Sequence, residues 1–234
     1  MKLESIISFF DRESPEATEF RRLYSNLYSS NGSLKTIMVT SSTVEEGKSL
    51  VSSFLALTIA EASHQKVLLL DTDLRRPMIN VFFKLPLENG FADLLEKKGK
   101  IPEMLKVTAV PELKVITAGR LKGSPTAALN PTHLHEIFEE LKFYFDFIIV
   151  DSPPVIPVSD PLMIAGDVDG ALLVLRAGST PREVVKRALN LLQNSRIKVL
   201  GAVLNNLEEV LPYYYSSKYY AYKYYHGQPS KSKN

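Results

Sequence analysis

Lys35-Thr36-Ile37-Met38-Val39-Thr40-Ser41-Ser42-Thr43-Val44-Glu45-Glu46-Gly47-Lys48-Ser49-Leu50 decides the fold. Lys35 to Val39 reads as a short buried strand, and a helix follows from about Lys48 to Glu61. Between them lies a polar turn ending in glycine-lysine-serine. Gly47 lets the backbone curl so that several amide N–H groups face one point, and the helix N-terminus adds its positive end. In that geometry Lys48 reaches phosphate oxygens and the Ser49 hydroxyl is free to ligate Mg²⁺. The candidate cradle is Ser42, Thr43, Val44, Glu45, Glu46, Gly47, Lys48, Ser49 and Leu50. Its first position is serine rather than glycine, so the motif alone also reads as an ordinary strand-to-helix turn.

Two strand ends farther along add weight. Leu68-Leu69-Leu70-Asp71-Thr72-Asp73-Leu74-Arg75-Arg76-Pro77 places two aspartates where a buried strand exits, the side of an open α/β sheet that takes ligands. The competing reading is a surface turn whose Asp and Arg pair with each other. Phe147-Ile148-Ile149-Val150-Asp151-Ser152-Pro153-Pro154 repeats the arrangement with one aspartate, a hard oxygen ligand suited to Mg²⁺. Asn205-Asn206 ends the last apolar run and is either a base contact or a simple turn.

The remaining chain alternates strands and helices. Glu16 to Tyr28 has one apolar helical face, started by Ser14-Pro15. Strands are expected at Lys66–Leu70, Leu113–Thr117, Phe145–Val150, Gly170–Leu175 and Val199–Leu204. Helices are expected around 90–97, 101–106, 130–141 and 180–193. Almost wholly apolar strands separated by helices predict a mostly parallel central sheet covered by helices on both faces, an α/β fold of P-loop NTPase type. The expected organisation is an N-terminal helical segment at 1–30, one nucleotide-binding domain at 31–210 and a flexible tail at 211–234, the first segment taking an oligomerisation role only by the family resemblance given below.

Composition narrows the classes. The 234 residues contain no cysteine, which removes disulfides, thiolate metal sites and cysteine-held clusters, and with them reductase-type relatives of this fold. A net charge of +2 gives no reason to expect nucleic acid as a partner. No apolar run approaches the ~18 residues of a membrane helix and no secretion signal is evident, so a cytoplasmic protein is expected. The four histidines, His64, His133, His135 and His226, show no shared spacing with carboxylates and read as surface residues.

The tail is unlike the rest. Tyr213, Tyr214, Tyr215, Tyr219, Tyr220, Tyr222, Tyr224 and Tyr225 crowd a short segment interrupted by lysine and serine, and no acidic residue follows Glu209. That pattern has neither strand alternation nor a helical stripe. Standing alone it would read as a stacking surface for nucleic acid or carbohydrate.

Together these stretches resemble the bacterial tyrosine kinases of capsule and exopolysaccharide loci, in their stand-alone form. The resemblance is carried by Ser42 to Ser49, Asp71 to Arg75 and Asp151 to Pro154, and extends through Gly90-Phe91-Ala92-Asp93-Leu94-Leu95, Thr117-Ala118-Gly119 and Gly166-Asp167-Val168-Asp169-Gly170, over roughly residues 14 to 207. It implies ATP and Mg²⁺ as ligands, with Lys48 on the phosphates, Asp71 as acceptor of the tyrosine proton, and Ser49, Asp73 and Asp151 at the metal. It implies the eight tail tyrosines as phosphoacceptors for a neighbouring copy of the chain. It further implies a transmembrane polysaccharide co-polymerase as activator, holding the protein at the inner membrane face, and a cognate tyrosine phosphatase.

Two departures stand out. The family's loop reads Pro-Gly where this chain has Val44-Glu45, and a carboxylate there is unfavourable for a triphosphate unless it turns to solvent. At the positions of the family's Glu-x-x-Arg-x-x-Arg assembly motif this chain has Thr18, Arg21 and Tyr24, keeping only the middle arginine, and a register from Glu19 through Arg22 to Ser25 fits no better. Two rival readings share the fold: a positioning ATPase of MinD/ParA type, which usually has a lysine where Thr43 stands, and a degenerate nucleotide-binding regulator.

Overall fold

A computed structural model describes residues 5–30 and 34–206, and the eight tail tyrosines and His226 lie outside them. Along the chain the elements are α1 (Ile6–Phe9), α2 (Pro15–Ser30), β1 (Thr36–Ser41), α3 (Lys48–Ser63), β2 (Val67–Asp71), α4 (Ile79–Phe83), α5 (Phe91–Leu95), α6 (Ile101–Met104), β3 (Lys106–Val107), β4 (Leu113–Ile116), α7 (Pro125–Ala128), α8 (Pro131–Tyr144), β5 (Phe147–Asp151), α9 (Asp160–Ile164), β6 (Gly170–Arg176), α10 (Arg182–Asn194) and β7 (Val199–Asn205). The seven strands form one sheet in the order β3-β4-β2-β5-β1-β6-β7, parallel except for the antiparallel β3 at one edge.

Strand alternation explains the apolar runs. Leu68, Leu70, Ile148, Val150 and Leu173 point into a core closed by Leu134, Phe138 and Leu141 of α8 and by Leu192 of α10. Their neighbours Val67, Leu69, Ile149, Leu172 and Val174 point the other way, into a core closed by Leu55 and Ile59 of α3. Each face is buried, so apolar side chains occupy both alternate positions of β2 and β5 up to their terminal aspartates. Leu68, Leu69 and Leu70 are all fully buried.

Local signals fix the helix starts. Ser14 Oγ accepts from the Ala17 N–H at 3.1 Å, and Asn130 Oδ1 accepts from the His133 N–H at 3.2 Å, so both caps work as expected. Phe20 of α2 packs on Phe54 of α3 with ring centroids 5.5 Å apart, which seats the N-terminal helix on the domain.

Some expectations need correction. Lys106 does not end a helix: α6 stops at Met104, and Lys106–Val107 pairs with Val115 and Lys114 as the edge strand. His133 is half-buried rather than a surface residue, its ring 2.9 Å from the Leu94 carbonyl and 3.1 Å from Glu136. Its i,i+3 spacing to Glu136 was the available signal. His135 stays exposed and meets Asp167 at 2.9 Å.

Candidate active site

Register brings the acids together. β2 and β5 run side by side with Asp71 opposite Asp151, and β1 places Val39 opposite Asp151 on its other flank. Three strand tips therefore end at one place, and the loop leaving β1 curls over it into α3. Gly47 takes φ +92°, a backbone that glycine suits best, and an added Cβ would also displace the Asn205 amide, whose Nδ2 would lie 2.0 Å away.

Lys48 is the centre of the site. Its Nζ lies 2.8 Å from Asp73 Oδ2 and 3.7 Å from Asp151 Oδ2, and it donates to Ser49 Oγ at 3.1 Å. Burial works against this ammonium, but Asp151, Asp73 and Asp71 outweigh it and raise its proton affinity. Asp71 is fully buried. Its Oδ1 accepts from the Asp73 N–H at 3.0 Å and its Oδ2 from the Ile79 N–H at 3.3 Å. Burial, then the nearby Asp151 charge, pushes the Asp71 carboxyl well above the usual carboxylate range. Burial also raises Asp151, with Lys48 opposing.

The strand-end arginines do not pair with Asp71 and Asp73 as the surface-turn reading had it. Arg75 forms a two-pronged pair with Asp160 at the start of α9, at 2.8 and 3.2 Å, and also donates to Thr126 Oγ1 at 2.9 Å. Asp73 Oδ1 instead accepts the backbone N–H groups of Arg75 and Arg76 at 3.2 and 2.9 Å.

The phosphate loop is braced by side chains that motif reading does not flag. Glu46 is buried, and its carboxylate accepts from the Thr43 N–H at 2.9 Å and from the Thr180 hydroxyl. Asn205 Nδ2 donates to the Glu46 carbonyl at 3.0 Å. Ser52, one turn beyond Lys48, donates to Asp151 Oδ1 at 3.0 Å. Glu45 turns its side chain to solvent, but its backbone sits at φ +63°, the left-handed region that glycine suits best. Asn206 also takes a left-handed backbone, at φ +65°.

A cleft of about 520 Å³ opens over this machinery. Lys48, Ser49, Asp73, Val44 and Glu45 line it, as do Arg75, Arg76, Met78, Phe82 and the proline-rich exit of β5. Asp71 and Asp151 are fully buried beneath that lining, and the half-buried Asn205 and Asn206 are not part of it. The donor set suits a hard cation: Asp151 Oδ2 is buried without a hydrogen bond, and Ser49 Oγ and Asp73 Oδ2 are oxygen donors. Among the described residues no three His, Cys, Asp or Glu side chains are arranged to hold a metal ion by themselves, so phosphate oxygens and water would complete such a shell. Mg²⁺ is commonly held in that way.

The assembly motif is partly used up within the chain. Arg21 donates to the Arg12 carbonyl at 2.7 Å and to Thr18 Oγ1 at 2.9 Å, Arg22 pairs with Glu19, and Tyr24 meets Phe147 edge-on. No helix among the described residues is long and apolar enough to cross a membrane.

Comparison with known proteins gives the fold and, from the sequence relatives, the family within it. A family model described as ParA, NUBPL iron-transfer P-loop NTPase, matches residues 33–232. The CapB protein of Staphylococcus aureus is 34% identical over 232 residues, covering 97% of this chain and 98% of that protein. The tyrosine-protein kinase CpsD of a Streptococcus agalactiae serotype III strain is 32% identical over 214 residues, covering 91% and 92%. The crystal structure of the chimerical protein CapA2B2 superposes with a TM-score of 0.81 at 27% identity, covering 87% of this chain and 90% of that one. A MinD from Pyrococcus horikoshii complexed with Mg-ADP reaches 0.62 at 21% identity, a likeness of fold alone. The nucleotide-binding loop, the strand-tip acids and relatives matched over nearly their whole length lead to one assignment: the chain belongs to the bacterial tyrosine-protein kinases, on a ParA-like P-loop NTPase fold.

Proposed function

We propose that the protein transfers the γ-phosphoryl group of ATP to tyrosines of its own C-terminal cluster, Tyr213 to Tyr225, between neighbouring copies, and so regulates synthesis and export of an extracellular polysaccharide. The observation that carries this is the convergence of Lys48, Asp71, Asp73 and Asp151 behind and within a single cleft.

The chemistry assigns each group a task. The phenolic oxygen bonds to the γ-phosphorus, the bridging P–O bond to the β-phosphate breaks, and ADP leaves. Tyrosine is a weak nucleophile near neutral pH, so its proton needs an acceptor. Asp71 takes it: each of its oxygens holds one backbone N–H, leaving lone pairs free, and its proton affinity is raised. Lys48 holds the phosphates, and Ser42 to Leu50 wrap them. Ser49, Asp73 and Asp151 would hold Mg²⁺, which supplies charge neutralisation on the transferring phosphate. By analogy with related P-loop proteins, Asn205 and Asn206 would contact the base of the nucleotide, and Asn205 also donates to the Glu46 carbonyl of the loop. Each phosphate added brings about −1.5 to −2 charges to a tail that is otherwise basic.

The partner reading follows from the family: a transmembrane polysaccharide co-polymerase activates the kinase at the inner membrane face, and a tyrosine phosphatase resets the tail. Co-purification with the membrane partner tests that part. For the reaction itself, purified protein is incubated with ATP and Mg²⁺ and probed for phosphotyrosine. The signal should vanish in Lys48→Met and in a chain ending before Tyr213. Phosphate release with no phosphotyrosine would point instead to a positioning ATPase.

A further inference from the structure

Arg76 is the cation in the cleft that the phosphate machinery leaves over. Lys48 is held by Asp73 and Asp151, and Arg75 by Asp160 and Thr126. The Arg76 guanidinium has no hydrogen bond or ion pair among the described residues, stays exposed, and lines the cleft with Met78 and Phe82. Its backbone is nevertheless fixed, because its N–H donates to Asp73 Oδ1 at 2.9 Å and Pro77 follows. A guanidinium held at its root and unspent at its tip is a receptor for an anion, and phosphate matches its fork.

The acceptor sequence says which anion. Tyr213, Tyr214 and Tyr215 are contiguous, as are Tyr219 with Tyr220 and Tyr224 with Tyr225, while Tyr222 stands two residues from Tyr220 and from Tyr224. Every acceptor therefore has another at one or two positions' distance, within about 7 Å of chain. The unmodified tail offers Arg76 no acidic side chain between Val210 and Asn234, and Lys218 and Lys223 repel it. A first phosphorylation changes that.

Building on the kinase reading above, we propose that Arg76 is a phosphotyrosine-reading subsite: it grips a tyrosine already phosphorylated while the neighbouring tyrosine enters the cleft. Phosphorylation within a cluster is then sequential, each transfer improving the next substrate. The apolar lining from Met78 and Phe82 suits the acceptor ring, and Arg76 supplies the charge selection beside it.

The test uses the full-length protein with Mg-ADP bound, so that the phosphate loop is occupied. A labelled peptide of residues 210–226 is titrated in two forms, unmodified and phosphorylated at Tyr214 only, by fluorescence anisotropy. The phosphopeptide should bind roughly tenfold tighter. Arg76→Gln should bring the two affinities together, and Arg76→Lys should keep part of the preference. Equal binding of both forms by the unaltered protein overturns the proposal, as does a preference that survives in Arg76→Gln. A fall in Mg-ADP affinity of the same size in Arg76→Gln also overturns it, since the guanidinium would then be a nucleotide ligand. Because binding is read without turnover, absence of phosphotransfer refutes the kinase reading separately.

Discussion

Lys48 Nζ lies 2.8 Å from Asp73 Oδ2, a cation and an anion in contact where almost no solvent reaches either. The same ammonium faces the fully buried Asp151 at 3.7 Å. One positive charge thus offsets three clustered carboxylates, and it does so before any nucleotide arrives. Breaking such a set by removing the cation costs about 3–5 kcal/mol, since buried charge is left without compensation. Lys48→Met should therefore lose phosphotyrosine formation and also melt roughly 10 °C lower at pH 7. At pH 5 the deficit should shrink, because Asp71 and Asp151, both raised, take up protons instead. Thermal melts at the two pH values check this. An equal deficit at both would mean that the carboxylates do not feel Lys48.

The raised proton affinity of Asp71 predicts a trade between function and stability. A carboxyl whose folded value lies above its unfolded one, 3.8, binds its proton more tightly in the folded chain. Its favourable contribution is complete below 3.8, falls as pH rises toward the folded value, and stays lost above it. Asn in its place removes the buried charge while keeping an acceptor for one backbone N–H. Asp71→Asn should thus stop tyrosine phosphorylation yet stabilise the fold by about 1 kcal/mol at pH 7. Chemical denaturation at pH 7 and pH 4 reads the sign: the gain should be smaller at pH 4.

Glu45 holds a left-handed backbone, the region that glycine suits best. A residue with a Cβ at φ +63° costs about 1 kcal/mol. Glu45→Gly should return most of that, raising the melting temperature by about 2–3 °C. It also removes a negative charge from the cleft rim, so ATP should bind about two- to fivefold more tightly at low salt, with the gain fading above physiological ionic strength. Thermal melts check the first effect, and calorimetric titration of ATP at two salt concentrations checks the second. Unchanged stability would show that the loop relaxes around either residue.

How far the sequence reveals all this depends on the range of each interaction. The parallel sheet was legible because Leu68-Leu69-Leu70 feeds two cores at once and leaves a solid apolar run. The strand-tip acids were legible because an aspartate directly after such a run has one place to go. β3 was not, since Lys106–Val107 is too short for any period and exists only through pairing with β4. Five-residue helices such as α4 and α9 fail for the same reason. Arg75 was read against its neighbours Asp71 and Asp73, whereas its partner Asp160 lies 85 residues away with no local mark. Thr180 was equally hidden, although it too follows a strand that ends at the site. Local patterns reveal which segments are buried, and long-range pairing decides which charges meet.

Glu46 shows what such pairing does for the loop. Its carboxylate takes the Thr43 N–H and the Thr180 hydroxyl, while its carbonyl takes Asn205, so the loop after β1 is tied both to the turn after β6 and to the end of β7. Losing the carboxylate leaves the half-buried Thr43 N–H and Thr180 hydroxyl without their acceptor, at a cost of about 1 kcal/mol each. Glu46→Ala should loosen the loop and raise the KM for ATP at least tenfold while the folded state persists. Gln retains one oxygen for Thr43 and presents an amide to the Thr180 oxygen, so Glu46→Gln should recover most of the affinity. Steady-state kinetics on both variants, with circular dichroism to confirm folding, separate the possibilities. If Gln is as poor as Ala, the negative charge of Glu46 matters more than its hydrogen bonds, and the bracing role assigned to it is wrong.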